Sequence, residues 1–155
     1  MTYRQWHDDF ADRHQEIVRM LEERSDEELI DYFRYENMRK RHPAFCPLYE
    51  EEERCHDMEN LNCYLCGCPH FRYCDEGIDT VNGKVRYSLC AIEAREGKTF
   101  ETDTAIHQDC SDCPLPHLHG FIKKYFDRNW GRIMAECEAC ETIGKAEGQK
   151  PESTA

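Results

Sequence analysis

Six cysteines in two short segments are the residues of this sequence best suited to do chemistry. Four of them fall within a dozen positions and two more follow further along the chain: Cys63, Cys66, Cys68 and Cys74, then Cys110 and Cys113. Thiolates spaced two residues apart, in two segments of one chain, are typical of proteins that bind a zinc ion or an iron–sulfur cluster. The sequence therefore predicts a metal site built from these six cysteines.

The spacing inside the first segment is unusual for a single ion. Cys63 and Cys66 form a Cys-x-x-Cys pair followed by Gly67, and a tight turn would let both sulfurs point at one metal. Cys68 cannot easily reach the same tetrahedral ion from that turn. Either Cys68 serves a second site, or the site is a cluster whose irons are spread over several ångströms.

Proline directly follows three cysteines, which are Cys46, Cys68 and Cys113. A Cys-Pro step ends the ligand run of iron–sulfur ferredoxins, and proline stiffens a ligand loop by fixing φ and removing a backbone donor. Zinc ribbons use prolines too, so this feature leaves both metals open. We favour zinc and keep an iron–sulfur cluster as the alternative.

Three histidines lie close to these cysteines. His56 directly follows Cys55, while His70 and His117 lie within four residues of a predicted ligand. Enough thiolates are already present to fill four-coordinate sites. We therefore expect these histidines to be exposed or hydrogen-bonded loop residues rather than ligands.

Three further cysteines have less certain roles. Cys90 is isolated between Leu89 and Ala91, and we expect it to be a buried cysteine. Cys137 and Cys140 fall on the apolar stripe of a predicted helix, which favours a place in the core. Their Cys-x-x-Cys spacing also fits an accessory ligand or a redox pair, and this alternative stays open.

Composition and charge limit the classes of partner. The formal net charge is −12, and residues 43–75 carry seven acidic and two basic groups. Binding to nucleic acid or to an anionic membrane needs concentrated lysine and arginine, so we expect neither. The first residues do not resemble a signal peptide, and no apolar run approaches the roughly 20 residues of a membrane span. We expect a cytoplasmic protein, in which many cysteines favour metal binding over disulfides.

Helical signals flank the cysteine-rich region. Thr2 with Gln5, and Ser25 with Glu28, fit the capping box and predict a helical hairpin over residues 1–41. Between the two cysteine segments, Asn82-Gly83 predicts a β-hairpin near residues 81–88.

An apolar stripe at helical spacing predicts one continuous helix after His119, with residues 127–143 as its extension. Polar and small residues dominate 144–155, so we expect a disordered tail there.

From Asn62 to Pro69, and again from Asp109 to His117, the sequence resembles the cysteine-rich small domain family of archaea and bacteria. The shared patterns are N-C-x-x-C-x-C-P and C-S-x-C-x-x-P-H, and the resemblance covers about residues 42–126. It implies a metal-binding, zinc-finger-like domain, and some members are linked to cobalamin-biosynthesis proteins. Cys46 and the Cys55-His56 pair match the family's opening cysteine and Cys-His. The resemblance implies no reaction.

Together these features predict a small, irregular α+β cysteine-knuckle metal-binding domain at residues 42–126 with a short β-hairpin. The N-terminal helical hairpin and the C-terminal helix flank it. Eight thiolates suit two four-coordinate sites. The predicted ligands are Cys46, Cys55, Cys63, Cys66, Cys68, Cys74, Cys110 and Cys113.

Three functions fit this ligand set. We favour a structural zinc module that binds a protein partner of basic charge. The first alternative is an iron–sulfur protein that carries electrons or supports a metabolic enzyme. The second is a metal- or thiol-handling enzyme or chaperone that uses Cys137 and Cys140 as an exposed transfer pair. No residue is predicted as a catalytic acid or base, and an enzymatic role is not the favoured one.

Overall fold

The structure, a computed structural model, describes residues 1–140 and shows a mixed α+β protein. The predicted tail at 144–155 and residues 141–143 of the predicted C-terminal helix lie outside the described residues. Among residues 1–140, no helix combines the length and the apolar character that crossing a membrane requires.

The N-terminal segment contains three helices where the sequence predicts two. They are α1 (Tyr3–Met20), α2 (Asp26–Tyr32) and α3 (Tyr35–Arg41). Both predicted capping boxes are confirmed, at Thr2 before α1 and at Ser25 before α2.

The break between α2 and α3 has a tertiary cause. Arg34 forms an isolated antiparallel β-bridge with Asn62, and the two backbone bonds beside it fix the register. The N–H of Tyr35 donates to the Leu61 carbonyl at 2.9 Å, and the N–H of Cys63 donates to the Phe33 carbonyl at 2.8 Å. The helical hairpin is therefore joined to the start of the central cysteine segment.

Helix α4 (Pro47–Glu50) is a single turn that begins directly after Cys46. Proline is favoured at the first helical position because its missing N–H would have no partner there. The Cys46-Pro47 step thus fixes the backbone at a predicted ligand.

Within residues 1–140, six short strands form two sheets. Strands β1 (Phe71–Tyr73) and β4 (Ser88–Cys90) pair antiparallel. The second sheet has the order β2-β3-β6-β5 and contains one parallel pair, β3 with β6. Its strands are β2 (Asp79–Val81), β3 (Lys84–Arg86), β5 (Lys98–Glu101) and β6 (Ala105–Asp109).

The predicted hairpin is confirmed as the β2–β3 pair. Asn82 and Gly83 form its turn with φ values of 52° and 80°. Positive φ at both central residues is the requirement of the two-residue turn that Asn-Gly satisfies.

The prediction of one continuous C-terminal helix is wrong. A 3-10 helix (Leu115–His117), α5 (His119–Tyr125) and α6 (Trp130–Ile133) take its place. Between α5 and α6, the Asp127 carboxylate accepts the N–H of Asn129, and the Asn129 side chain caps α6 by accepting the N–H of Arg132. These side chains compete with helical backbone bonds, so the Asp-Arg-Asn segment ends one helix and begins another.

An aromatic core joins the helices to the central cysteine segment. Phe10 of α1 packs against Trp130 of α6 with ring centroids 4.6 Å apart, and Phe33 packs against Tyr64 at 4.8 Å. Trp130 is only 1% exposed, and Tyr64 is fully buried. Tyr64 lies between Cys63 and Cys66, so this core holds the Cys63–Cys66 turn in place.

Candidate metal centres

The side chain of Asn62 fixes the backbone of the first Cys-x-x-Cys through two hydrogen bonds. Its amide nitrogen donates to the Ile30 carbonyl at 2.8 Å, and its side-chain oxygen accepts the N–H of Tyr64 at 2.9 Å. The N–H of Cys66 then donates back to the Cys63 carbonyl at 3.3 Å, which closes the predicted tight turn.

Four thiols surround a small cavity beside this turn and form what we call the first thiol group: Cys46, Cys55, Cys63 and Cys66. The cavity has a volume of about 60 Å³ and is otherwise mostly apolar. Burial raises the pKa of Cys66 well above its usual range, and repulsion from the other three thiolates raises it further. Burial also raises the pKa of Cys63, to about 12. A bound cation would relieve this repulsion.

A second set of four thiols lies around another cavity and forms the second thiol group: Cys68, Cys90, Cys110 and Cys113. This cavity has a volume of about 30 Å³. Burial raises the pKa of Cys110 to about 11, and repulsion from Cys68, Cys113 and Cys90 adds to the effect. The sequence predicts a buried Cys90, whereas the structure places it half-buried beside three predicted ligands.

The fold explains how Cys90 reaches this group. It is the last residue of β4 and pairs with Phe71 of β1, three residues after Cys68. Cys110 directly follows β6, and the N–H of Cys113 donates to its carbonyl at 3.1 Å to form a second tight turn. Strand pairing between distant segments therefore assembles the four thiols.

Gly67 divides the two groups. Its φ is +106°, a conformation that side chains disfavour, and an added Cβ would lie 3.1 Å from Trp130 Cζ2 and 3.6 Å from Trp6 Cη2. The indole N–H of Trp130 donates to the Cys66 carbonyl at 2.9 Å. Glycine lets the backbone reverse here, so that Cys66 faces one cavity and Cys68 faces the other.

The sulfur spacing within each group is wider than a single ion requires. Four cysteine sulfurs on one tetrahedral zinc ion would lie about 3.8 Å apart, given a Zn–S distance of about 2.3 Å. Among the described residues, three or more potential ligand atoms lie within 4.8 Å of one another in only two places, and neither is a set of three thiols from one group.

Buried polar atoms without partners face these cavities. The Tyr49 hydroxyl donates a hydrogen bond to the Cys63 sulfur beside the first cavity. The Tyr35 hydroxyl is buried and has no hydrogen-bond partner among the described residues, and Tyr35 lines the same cavity. His70 Nε2 is likewise unpaired, and His70 lines the second cavity. An unpaired buried donor is costly unless an acceptor completes it. Thiolates or inorganic sulfide in the two cavities would supply such acceptors, so the residues present fit an anionic sulfur-rich centre.

Backbone N–H groups also face the sulfurs of the second group. The N–H of Ala94 donates to Cys90 Sγ at 3.4 Å. Burial raises the pKa of Cys68, and the backbone N–H of His70 beside its sulfur opposes this. Such bonds stabilise the charged sulfur that a metal ligand needs.

Cys74 is the one predicted ligand that joins neither group. It forms a disulfide with Cys140, with Cα atoms 5.0 Å apart. The cause is a short parallel bridge in which the N–H of Tyr73 donates to the Cys137 carbonyl and the N–H of Ala139 donates to the Tyr73 carbonyl, both at 2.8 Å. This pairing brings Cys140 to Cys74. The sequence favoured metal binding over disulfides, and at this position the structure has a disulfide.

Cys137 is 0% exposed, which confirms its predicted place in the core. Its Sγ lies 3.4 Å from the Cys68 carbonyl oxygen. A buried Cys137 and a disulfide-bonded Cys140 are not an exposed transfer pair.

Two of the three nearby histidines have contacts that the sequence prediction did not expect. His56 Nδ1 lies 3.2 Å from Cys55 Sγ, and His117 Nε2 lies 3.7 Å from the same sulfur. His117 is buried, and its burial lowers its pKa to about 4, so the ring is neutral at pH 7.

Comparisons of the chain with protein-family models, with curated proteins and with solved structures found no match. The resemblance to the cysteine-rich small domain family therefore rests on the two cysteine patterns alone.

Proposed function

We propose that this protein is an iron–sulfur protein with two adjacent clusters and that it transfers electrons to or from a protein partner. One observation carries the proposal: each of two cavities is surrounded by four thiols, yet in neither set do three sulfurs approach to the spacing of a single ion. A cluster spreads its four ligands around several irons, which requires the wider spacing.

The proposed ligands follow from the two thiol groups. Cys46, Cys55, Cys63 and Cys66 would hold the first cluster, and Cys68, Cys90, Cys110 and Cys113 the second. Relative to the sequence prediction, Cys90 replaces Cys74. When bound, such clusters exchange single electrons.

The contribution of the protein to this chemistry is an apolar setting with defined donors. In the first group, burial raises the pKa values of Cys63 and Cys66, and in the second group backbone N–H groups face the sulfurs of Cys68 and Cys90. Burial and hydrogen bonds to sulfur both tune the potential of a cluster.

The short connection through Gly67 favours transfer between the two centres. Cys66 and Cys68 are separated by this single residue. Cys66 lines the first cavity, Cys68 lines the second, and both also line a larger cavity of about 330 Å³. An electron that enters at one group therefore has its next acceptor close by.

The charge of the chain indicates the kind of partner. A formal net charge of −12 would steer a protein with a basic surface towards it and would repel acidic partners. Association should weaken with rising ionic strength, because surface charges are screened by salt.

The test is the metal content of the full chain purified without oxygen. We expect a brown protein with iron and acid-labile sulfide in near-equal amounts, and reduction should bleach its visible absorption. Spin coupling between two reduced clusters in electron paramagnetic resonance would confirm that they are neighbours. A colourless protein with one or two zinc ions per chain would overturn the proposal and support the structural zinc module instead.

A further inference from the structure

We propose that Cys55, His56 and His117 form a third metal site, which binds a single divalent transition-metal ion and leaves one coordination position open to a small molecule. These three residues are one of only two sets among residues 1–140 whose potential ligand atoms all lie within 4.8 Å of one another. The other set consists of Glu76 with Cys74 and Cys140, whose sulfurs are bonded to each other.

The distances fit a tetrahedral ion. Cys55 Sγ lies 3.2 Å from His56 Nδ1 and 3.7 Å from His117 Nε2. Sulfur and nitrogen ligands of one tetrahedral zinc ion would lie about 3.6 Å apart, given bonds of about 2.3 Å and about 2.0 Å. The side chains therefore need little rearrangement to bind an ion of this class.

Both histidines present the correct ring nitrogen. The Nδ1–H of His117 donates to the Asn62 carbonyl at 2.8 Å, and the Nε2–H of His56 donates to the Cys110 carbonyl at 3.0 Å. A carbonyl can only accept, so these bonds place the proton on the far side of each ring. The lone pairs of His56 Nδ1 and His117 Nε2 then face Cys55. Metal-binding histidines show this same second bond to a carbonyl or carboxylate.

Three protein ligands leave room for a fourth from outside. Structural zinc sites use four protein ligands, whereas catalytic sites use three and leave a position open. Two nitrogens and one thiolate suit zinc, cobalt or nickel better than calcium or magnesium. Among the described residues, no fourth histidine, cysteine or acid completes this set.

A cavity of about 330 Å³ opens on this site, and we call it the central cavity. Its walls include all three ligands together with the aromatic rings of Trp6 and Phe71. A volume at the lower end of the range for ligand pockets fits a small organic molecule. A molecule that fits the central cavity would have one donor atom that binds the metal and a flat apolar part that packs against the rings of Trp6 and Phe71.

Cys55 would be shared with the first thiol group, and only in this sharing does the inference rest on the proposed function. Cys55 lines both the first cavity and the central cavity. A thiolate sulfur has further lone pairs and can bridge two metals. The third site would thus join the first cluster directly to the molecule in the central cavity.

The test uses the full chain, loaded anaerobically and then titrated with cobalt(II) as a spectroscopic substitute for zinc. We expect wild type to bind one further cobalt ion with a thiolate-to-cobalt charge-transfer band. The His56→Gln variant keeps an N–H donor for the Cys110 carbonyl but loses the ring nitrogen. Its cobalt affinity should fall by more than about 100-fold, since even loss of an outer contact costs about 10- to 100-fold.

His119→Gln is the matched control, because His119 is exposed and contacts Glu27 instead. This variant should bind cobalt as wild type does. Equal affinity of wild type and the His56→Gln variant, or no further cobalt in wild type, would overturn the third site. Zinc in place of clusters in the thiol groups would contradict the proposed function while leaving this comparison intact.

A separate measurement tests whether the metal has an open coordination position. Addition of 4-phenylimidazole, which combines one nitrogen donor with an apolar ring, should shift the visible bands of the cobalt protein. Unchanged bands would contradict the open position.

Discussion

The two thiol groups have the same number of cysteines but are built into the fold in different ways. Three members of the first group, Cys46, Cys63 and Cys66, belong to or pack against the aromatic core formed by the helices. The four members of the second group do not belong to this core, although each group contains one exposed cysteine, Cys55 in the first and Cys110 in the second. The first group is thus part of the scaffold, and the second is assembled on it by strand pairing.

This difference predicts that metal binding to the first group is more strongly coupled to folding than metal binding to the second. A ligand set inside the main core cannot lose its metal without leaving buried, mutually repelling thiols. A set held by loops and short strands can lose its metal with a smaller effect on the remainder of the protein.

The largest expected effect comes from Cys66→Ser compared with Cys110→Ser. The Cys66→Ser variant should lose the first centre and unfold the helical half, because binding of structural metals contributes on the order of 10 kcal/mol to folding. The Cys110→Ser variant should lose only the second centre. Metal analysis and far-ultraviolet circular dichroism of both variants measure this.

Equal loss of helical signal in the two variants would show that the groups are equally coupled to folding. A folded Cys66→Ser protein with a full metal complement would contradict the assignment of the first thiol group as metal ligands.

The second prediction separates Cys90 from Cys74 as a ligand. Cys90→Ser should remove the second centre, whereas Cys74→Ser should retain both centres and lose only the disulfide to Cys140. The lost disulfide should lower the free energy of unfolding by about 2–4 kcal/mol. Iron per chain and urea unfolding distinguish the variants. The opposite pattern, with metal lost from Cys74→Ser, would restore the sequence prediction.

The number of cysteines explains why the sequence alone could not decide between Cys74 and Cys90 as a ligand. Residues 42–126 contain nine cysteines, and two four-coordinate sites use eight. Cys74 is closer to the central motif along the chain, which favoured it. Only the pairing of β1 with β4 brings Cys90 beside Cys68, and only the bridge at Tyr73 brings Cys140 to Cys74.

Local signals were predictable because short-range bonds determine them. Both capping boxes and the Asn82-Gly83 turn involve residues within three positions of each other, and all three are confirmed. The break between α2 and α3 depends on Asn62, far along the chain. The break after α5 had a local signal, the polar Asp127-Arg128-Asn129 segment, which the apolar periodicity outweighed.

The third prediction concerns the loss of folding stability in acid that buried His14 causes. His14 packs beside the turn that carries Cys63 and Cys66 of the first thiol group. His14 is fully buried, stacks on Phe33, and its Nε2–H donates to the Tyr64 carbonyl at 3.0 Å. Burial lowers its pKa from 6.5 to about 4, so the folded protein keeps it neutral while the unfolded chain binds a proton. Stability is therefore lost as the pH falls from about 6.5 towards 4, by about 2 kcal/mol at pH 5.

Replacing His14 with Phe should remove the His14 contribution and keep the ring that stacks on Phe33. The contribution of buried His117, whose pKa is also lowered to about 4, should remain in both proteins. Urea unfolding of wild type and variant at pH 7 and pH 5 gives the two differences to compare. A variant as acid-sensitive as wild type would show that His14 does not couple the helical half to pH.

The smallest effect distinguishes a buried cysteine from a ligand. Cys137 is as buried as any residue of the first group, and its sulfur lies 3.4 Å from the carbonyl of Cys68, a member of the second group. It nevertheless lines neither thiol cavity. Cys137→Ala should cost about 1 kcal/mol of packing and leave the iron content unchanged. Loss of iron from this variant would mean that the second group extends to Cys137 and is not complete with four thiols.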